Sequence, residues 1–147
     1  MKCTRCRDAA VIDLRRHNAA FCVPCFTHFT HTQVQRTIDE MKMFPKDARV
    51  LVAVSGGKDS LALWAILRSL GYEADGLYIG LGIGEYSDAS LEITQRFAEA
   101  KGWPLRVIDV RSEYNFDIPG AAVATKRAPC GACGLSKRHL FDRAAVE

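Results

Sequence analysis

Short apolar runs alternate with longer helical segments from Val50 onward. The apolar runs are VLVAV (50–54), ADGLYIG (74–80) and PLRVIDV (104–110). The segments between them, 60–71 and 87–102, are long enough for helices, and each ends in a glycine. This order predicts an α/β fold with a parallel sheet and right-handed crossovers. Because VLVAV has no polar alternation, we expect that strand to be buried on both faces. Ser87 or Asp88 is the expected cap of the second helix.

The segments on either side of this region have other patterns. Val34, Ile38 and Met41 have helical spacing, which predicts a helix that begins at Thr30 or Thr32 and is ended by Pro45. Residues 111–129 show no regular pattern of apolar positions. The pattern over 130–147 predicts a last helix without a stop signal. We therefore expect a knot at 1–27, a linking helix at 28–47 and an α/β domain at 48–147. We expect that domain to be incomplete at its C-terminus and the chain to be an N-terminal fragment.

Composition and charge narrow the class of protein. Hydrophobic residues make up 48% of the 147 positions, which excludes a disordered chain. No apolar run approaches the roughly 18 residues of a membrane span, and the polar N-terminus is unlike a signal peptide. A cytoplasmic protein without membrane contact is expected. Residues 1–47 carry eight Lys/Arg against five Asp/Glu, and 126–143 carry five against one. These two basic zones would either bind a polyanion or be solvated surfaces.

The segment SGGKDS, Ser55 to Ser60, follows the first strand. It matches neither the Walker A nor the dinucleotide-binding pattern. Gly56 and Gly57 allow a sharp turn with backbone N–H groups near an anion, at the start of a helix. Ser55, Ser60 and Lys58 add donors. Asp59 would repel phosphate unless a cation lay between them, so the segment predicts a phosphate-binding loop with Mg²⁺.

The six cysteines fall into two sets, and the expected cytoplasmic location favours metal or redox chemistry over disulfides. The first set is Cys3, Cys6, Cys22 and Cys25. Two C-x-x-C pairs at this separation favour one tetrahedral zinc, with iron or two disulfides as alternatives. Cys130 and Cys133 begin the last predicted helix. Alone they fit half a zinc site, a redox dithiol or part of an iron–sulfur cluster.

Two resemblances combine these motifs. AVSGGKDS resembles the PP-loop of the ATP pyrophosphatases, which cleave ATP between the α and β phosphates and transfer AMP to a carbonyl oxygen. With both cysteine sets, LGIGEYS and CGACGLSKR, the whole chain resembles the TtuA-type tRNA 2-thiolation enzymes, relatives of the TtcA thiolases. The resemblance implies an adenine nucleotide α-hydrolase-like domain and a zinc knot. It also implies a [4Fe-4S] cluster on three cysteines with an open iron that carries sulfide.

The resemblance also implies site residues. Cys130 and Cys133 would be two cluster ligands, with the third beyond Glu147. Asp59, Cys130 and Cys133 are the expected catalytic residues. The expected ATP contacts are Ala53, Val54, Ser55, Gly56, Gly57, Lys58, Asp59, Ser60, Ile79 and Lys137.

The implied reaction is adenylation of the C2 oxygen of a tRNA uridine, followed by sulfur transfer with release of AMP and pyrophosphate. The implied partners are tRNA, a sulfur-carrier protein or persulfide donor, and a second copy of the chain. One alternative is another PP-loop enzyme, an amide-forming ligase or a lysidine-type tRNA enzyme. Another is a catalytically inactive, zinc-dependent RNA-binding module.

Overall fold

The computed structural model describes residues 1–82, 84–115, 117–126 and 128–146. It divides into two compact units, Met1–Lys46 and Asp47–Glu147. Among the described residues, no helix is long and apolar enough to cross a membrane.

The first unit is a small hairpin followed by one long helix. Strands β1 (Ile12–Leu14) and β2 (Ala19–Phe21) are antiparallel and are joined by a 3₁₀ turn at Arg15–His17. Helix α1 (Val23–Glu40) follows directly. Phe21 stacks on Phe29, with ring centroids 5.1 Å apart, and packs with two buried cysteines. So few apolar groups make a core too small to support a fold without further cross-links.

The predicted start and end of α1 were wrong. Cys22 is the N-cap and Pro24 lies in the first turn, a position that proline favours. The hydroxyls of Thr30 and Thr32 instead donate to backbone carbonyls one turn earlier, inside the helix. The helix ends at Glu40, before Pro45. Of the predicted apolar stripe, Ile38 is buried, whereas Met41 is 71% exposed at the C-cap.

The second unit contains the predicted parallel sheet. Strands β3 (Arg49–Ala53), β4 (Glu73–Gly80) and β5 (Leu105–Asp109) pair in that order. The helices are α2 (Lys58–Ser69), α3 (Glu85–Lys101), α4 (Val110–Tyr114), α5 (Ile118–Thr125) and α6 (Pro129–Val146). Gly71 and Gly102 have φ of +83° and +64°, which confirms them as the glycines that follow α2 and α3.

The two faces of the sheet pack against different helices. On one face Leu77 and Ile79 form a buried cluster with Leu140 of α6. On the other face the Trp64 indole of α2 is fully buried and donates to the Ala74 carbonyl at 2.9 Å. A β-carbon on Gly76 would lie 2.6 Å from that indole, so the ring occupies the space of the missing side chain. The sheet therefore separates two helical layers.

Three further expectations for this unit were wrong. Ala53 is exposed, so β3, an edge strand of the described sheet, is not buried on both faces. Gly84, rather than Ser87 or Asp88, is the N-cap of α3. The segment expected to be irregular contains α4 and α5. Both helices begin where an aspartate side chain, Asp109 or Asp117, accepts a hydrogen bond from a backbone N–H of the first turn.

Candidate functional site

The four N-terminal cysteines converge on one point. The Sγ atoms of Cys3, Cys6, Cys22 and Cys25 lie within 4.8 Å of one another. The Cys6 and Cys22 sulfurs are 3.4 Å apart. Zn–S bonds of about 2.3 Å in a tetrahedron would place the sulfurs roughly 3.8 Å apart, within the same range. The four donors therefore fit a single zinc ion.

The thiols of this knot differ in acidity. Burial opposes ionisation of Cys3, but backbone hydrogen bonds at Cys6 and Cys22 outweigh it and lower the pKa of Cys3 to about 6. A backbone hydrogen bond at Asp8 favours the Cys6 thiolate, yet the neighbouring Cys22 sulfur and burial together raise the pKa of Cys6. A bound cation would favour the thiolate form of both residues.

The PP-loop joins β3 to α2 and is held by its own hydrogen bonds. Val54 donates its N–H to the Leu77 carbonyl at 2.9 Å, which fixes the end of the strand. The Ser60 hydroxyl accepts from the Ser55 N–H at 3.1 Å and donates to the Gly57 carbonyl at 3.0 Å. Ser60, expected as a phosphate donor, here closes the loop on itself. The loop would therefore already have its folded conformation when a nucleotide binds.

The two glycines of the loop have different structural roles. Gly56 has φ of +77°, and a β-carbon there would lie 2.6 Å from the carbonyl oxygen of Ser90 in α3. Gly57 has ordinary φ and is the N-cap of α2. Lys58 and Asp59 follow it with side chains 90% exposed, and their Nζ and Oδ1 atoms are 3.4 Å apart. The loop thus presents one cation and one carboxylate to solvent at a helix N-terminus.

The cysteines of α6 share a helix face with Lys137. Cys130, Cys133 and Lys137 are spaced i, i+3 and i+7, which places them along one side of the helix. Cys130 is exposed, whereas Cys133 is partly buried against the cluster that contains Ile79. The i, i+3, i+7 spacing is visible in the sequence, but the three residues share a face only because α6 is a continuous helix.

Helix α6 runs antiparallel to the strands. Its last residues, Ala144 to Val146, line a groove with Arg49 and Leu105, the first residues of β3 and β5. Its first turn, with Cys130, is therefore directed towards the carboxyl edge of the sheet. The PP-loop and Ile79 lie at the same edge, where ligands bind in open α/β sheets. The structure thus places the expected nucleotide and sulfur residues at one edge of this unit.

Comparisons with known proteins identify proteins of similar sequence. A family model described as 2-thiouridine synthetase TtuA, N-terminal LIM domain, matches residues 2–27. tRNA-5-methyluridine(54) 2-sulfurtransferases of Thermus thermophilus and Thermotoga maritima are 46% and 34% identical over the whole of this chain. This chain is therefore similar over its whole length to these tRNA 2-sulfurtransferases. It spans 46% and 49% of those two proteins, about half the length of the curated relatives it matches.

Solved structures confirm the predicted fold. The U34-tRNA thiolase NcsA from Methanococcus maripaludis, described with its [4Fe-4S] cluster, superposes with a TM-score of 0.84 at 22% identity. That match covers 99% of this chain and 50% of NcsA. The NH3-dependent NAD synthetase of Campylobacter jejuni reaches 0.55 at 17% identity, over 82% of this chain and 51% of its own. The α/β sheet of the second unit is therefore a PP-loop fold.

Proposed function

We propose that this protein is an ATP-dependent sulfurtransferase that thiolates a uridine of tRNA at C2. One observation carries the proposal: the PP-loop and the Cys130–Cys133–Lys137 face both lie at the carboxyl ends of the strands. The relatives bear the names of tRNA 2-sulfurtransferases and support the substrate class.

ATP would bind at the carboxyl ends of β3 and β4. Backbone N–H groups of the PP-loop would donate to its phosphates, and Lys58 and Lys137 would supply positive charge. Asp59 would hold Mg²⁺ between its carboxylate and the pyrophosphate. Backbone groups at Ile79 would contact adenine. Ile79 is only 7% exposed, so its backbone position is fixed by the core.

The reaction has two displacement steps. The uridine C2 oxygen attacks the α-phosphorus of ATP, the bond to the bridging oxygen breaks, and pyrophosphate leaves. Sulfide then attacks C2, the C2–O bond breaks, and AMP leaves with that oxygen. In this chain, Lys137 would stabilise charge on the phosphate, and the cysteine face would bring sulfur close to C2.

The thiolates of Cys130 and Cys133 fit two ligand positions of a [4Fe-4S] cluster. When bound, that cluster would provide an open iron position for sulfide. Four of the six cysteines converge in the knot, so a third thiolate for that cluster would come from a residue other than these six. We further propose that the zinc knot 1–27 and the PP-loop domain 48–147 act together on tRNA in a cytoplasmic homodimer. A carrier protein or persulfide would supply the sulfur.

Anaerobic thiolation assays test the proposal. The chain, loaded with iron and sulfide, is incubated with ATP, Mg²⁺, sulfide and tRNA transcripts; 2-thiouridine is then measured by mass spectrometry and AMP by chromatography. Cys130→Ser should abolish thiolation and retain ATP binding. Lys137→Gln should lower AMP formation, whereas Lys101→Gln, at the far end of α3, should not.

Two results would contradict the proposal. Thiolation that survives Cys130→Ser would exclude the sulfur role of the cysteine face. AMP formation that depends on an added amine, without thiolation, would favour an amide-forming PP-loop ligase.

A further inference from the structure

The guanidinium of Arg111 joins two segments that are distant in sequence. It donates to the Gly82 carbonyl at 3.4 Å and to Oδ2 of Asp117 at 3.2 Å. Gly82 lies in the loop after β4, and Asp117 is the N-cap of α5. We call these three residues the Arg111 clasp.

Each residue of the Arg111 clasp also makes a further contact that restricts its position. Asp117 uses Oδ1 to accept from the Gly120 N–H at 2.6 Å, so its two oxygens serve the helix cap and the ion pair separately. The backbone N–H of Arg111 donates to Oδ1 of Asp109 at 3.2 Å. Gly82 has φ of +69°, and a β-carbon there would lie 2.7 Å from the Asp117 β-carbon. The close approach therefore requires glycine.

The clasp lies between the two halves of the proposed site. Its loop begins just after Ile79, the expected adenine contact. Its helix α5 packs against α6, where Ala122 shares a buried cluster with Leu140, and α6 carries the cysteine face. A shift of α5 would therefore be passed to Cys130 and Cys133 through packed side chains.

We propose that Arg111 and Asp117 are positioning residues that hold the cysteine helix at the nucleotide-binding edge. They set the rate of sulfur transfer and not the affinity for ATP. This inference rests on the proposed function, because it assigns the clasp to the geometry between adenylate and sulfur. Neither residue touches the reacting atoms.

Charge-removing variants test the clasp. Asp117→Asn retains a residue that caps helices well but loses the ion pair. Arg111→Gln removes the same pair from the other side. Thiolation kcat should fall roughly 10- to 100-fold in both, as expected for a misplaced reacting group. The KM for ATP should stay within about twofold, and the double variant should be no worse than either single one.

Arg49→Gln is the matched control. Arg49 pairs with Glu73 at 3.2 Å, the same distance as the clasp pair, but at the opposite edge of the sheet. It should leave kcat and KM unchanged. If its effect equals that of Arg111→Gln, or if KM rises in proportion as kcat falls, the clasp has only a general structural role and the proposal is overturned.

Two glycines provide a second, independent comparison. Gly82→Ala and Gly84→Ala share positive φ, at +69° and +56°, but a β-carbon at Gly84 meets nothing within 4 Å. Both variants carry the strain of a positive φ, and only Gly82→Ala pushes against Asp117. Gly82→Ala should therefore reproduce the kcat defect and Gly84→Ala should not. Equal kcat in the two variants would overturn the proposal.

Hydrogen–deuterium exchange distinguishes a failure of the clasp from a failure of the proposed function. In Asp117→Asn, amides in the first turns of α6 should exchange faster than in the wild type, and Arg49→Gln should match the wild type. Faster exchange in a protein that does not thiolate would support the positioning role and overturn the proposed function. Unchanged exchange would overturn the clasp whatever the activity.

Discussion

The backbone of Gly56 rests against the carbonyl of Ser90, so closely that a β-carbon at Gly56 would lie 2.6 Å from that oxygen. The same carbonyl accepts from the hydroxyl of Thr94 at 2.8 Å, and Thr94 is fully buried. The PP-loop is therefore supported from behind by α3. Its first glycine is needed for this packing as well as for the turn.

Replacing Gly56 should separate this packing from phosphate binding. Gly56→Ala combines a left-handed backbone with a clash, so we expect a loss of about 1–3 kcal/mol of stability and about tenfold or more in ATP affinity. Gly57→Ala is the matched control, because its β-carbon would meet only the Ser55 hydroxyl at 3.5 Å. Denaturant unfolding and calorimetric titration with ATP measure both effects. Equal stability of the two variants would contradict the packing role of Gly56.

Removal of the metal should unfold the first unit. Its core depends on Cys3 and Cys22, which are both buried among the aromatic rings. Cys22→Ser, or a strong chelator, should remove zinc and reduce helical circular dichroism, because metal binding supplies the folding free energy of such small units. Cys130→Ser should keep the zinc. A first unit that retains its helix after zinc loss would show that the apolar core suffices.

The turn between β1 and β2 should contact tRNA. Arg15, Arg16 and His17 are exposed at the hairpin tip. Arg16→Gln should weaken tRNA binding and reduce the slope of log K against log salt concentration by about one. Arg36→Gln is the control, because Arg36 is already paired with Glu40 at 2.6 Å. Filter binding at several salt concentrations measures the slopes, and equal slopes in the two variants would place the RNA contact elsewhere.

The Asp117 ion pair should weaken in acid. The backbone hydrogen bond from Gly120 and then the Arg111 guanidinium lower the pKa of Asp117 below its ordinary value. A carboxyl whose folded pKa is depressed stabilises the protein above its unfolded pKa of about 3.9 and loses that effect as the pH falls through the folded value. The Tm difference between wild type and Asp117→Asn should therefore be constant from pH 5 to 8 and shrink below about pH 4. Calorimetric scans would contradict this if the difference grew in acid.

The sheet and the knot could be predicted from the sequence because each depends on a repeating local pattern. Short apolar runs between glycine-terminated helices specified β3, β4 and β5 with small errors at their ends. The spacing of the four N-terminal cysteines was enough to predict that their sulfurs converge. The start of α1 was missed because its N-cap, Cys22, is not one of the residue types that usually cap helices.

The segment from Val110 to Pro129 could not be predicted because its helices are short and have weak periodicity. They begin at aspartate caps whose side chains also make tertiary contacts, as Asp117 does with Arg111. The contact between Gly56 and Ser90 likewise joins residues that no local pattern relates. Sequence motifs were therefore enough to identify the predicted site residues, whereas the residues that support them could be found only from the structure.

Arg127, in the second basic zone, and Glu147, at the end of the last predicted helix, lie outside the described residues.

The unequal burial of the two cysteine sets has a consequence for oxidation. The knot contains two buried cysteines, Cys3 and Cys22, beside the exposed Cys6, whereas in α6 Cys130 is exposed and Cys133, one helical turn away, is only partly buried. Exposed thiols at a helix N-terminus are the most readily oxidised, and a C-x-x-C pair can close into a disulfide. If the proposed function holds, air would close this pair before it reached the buried sulfurs of the knot. Protein handled in oxygen would then keep its fold and its nucleotide affinity while losing sulfur transfer, and a thiol reductant would restore the two thiols.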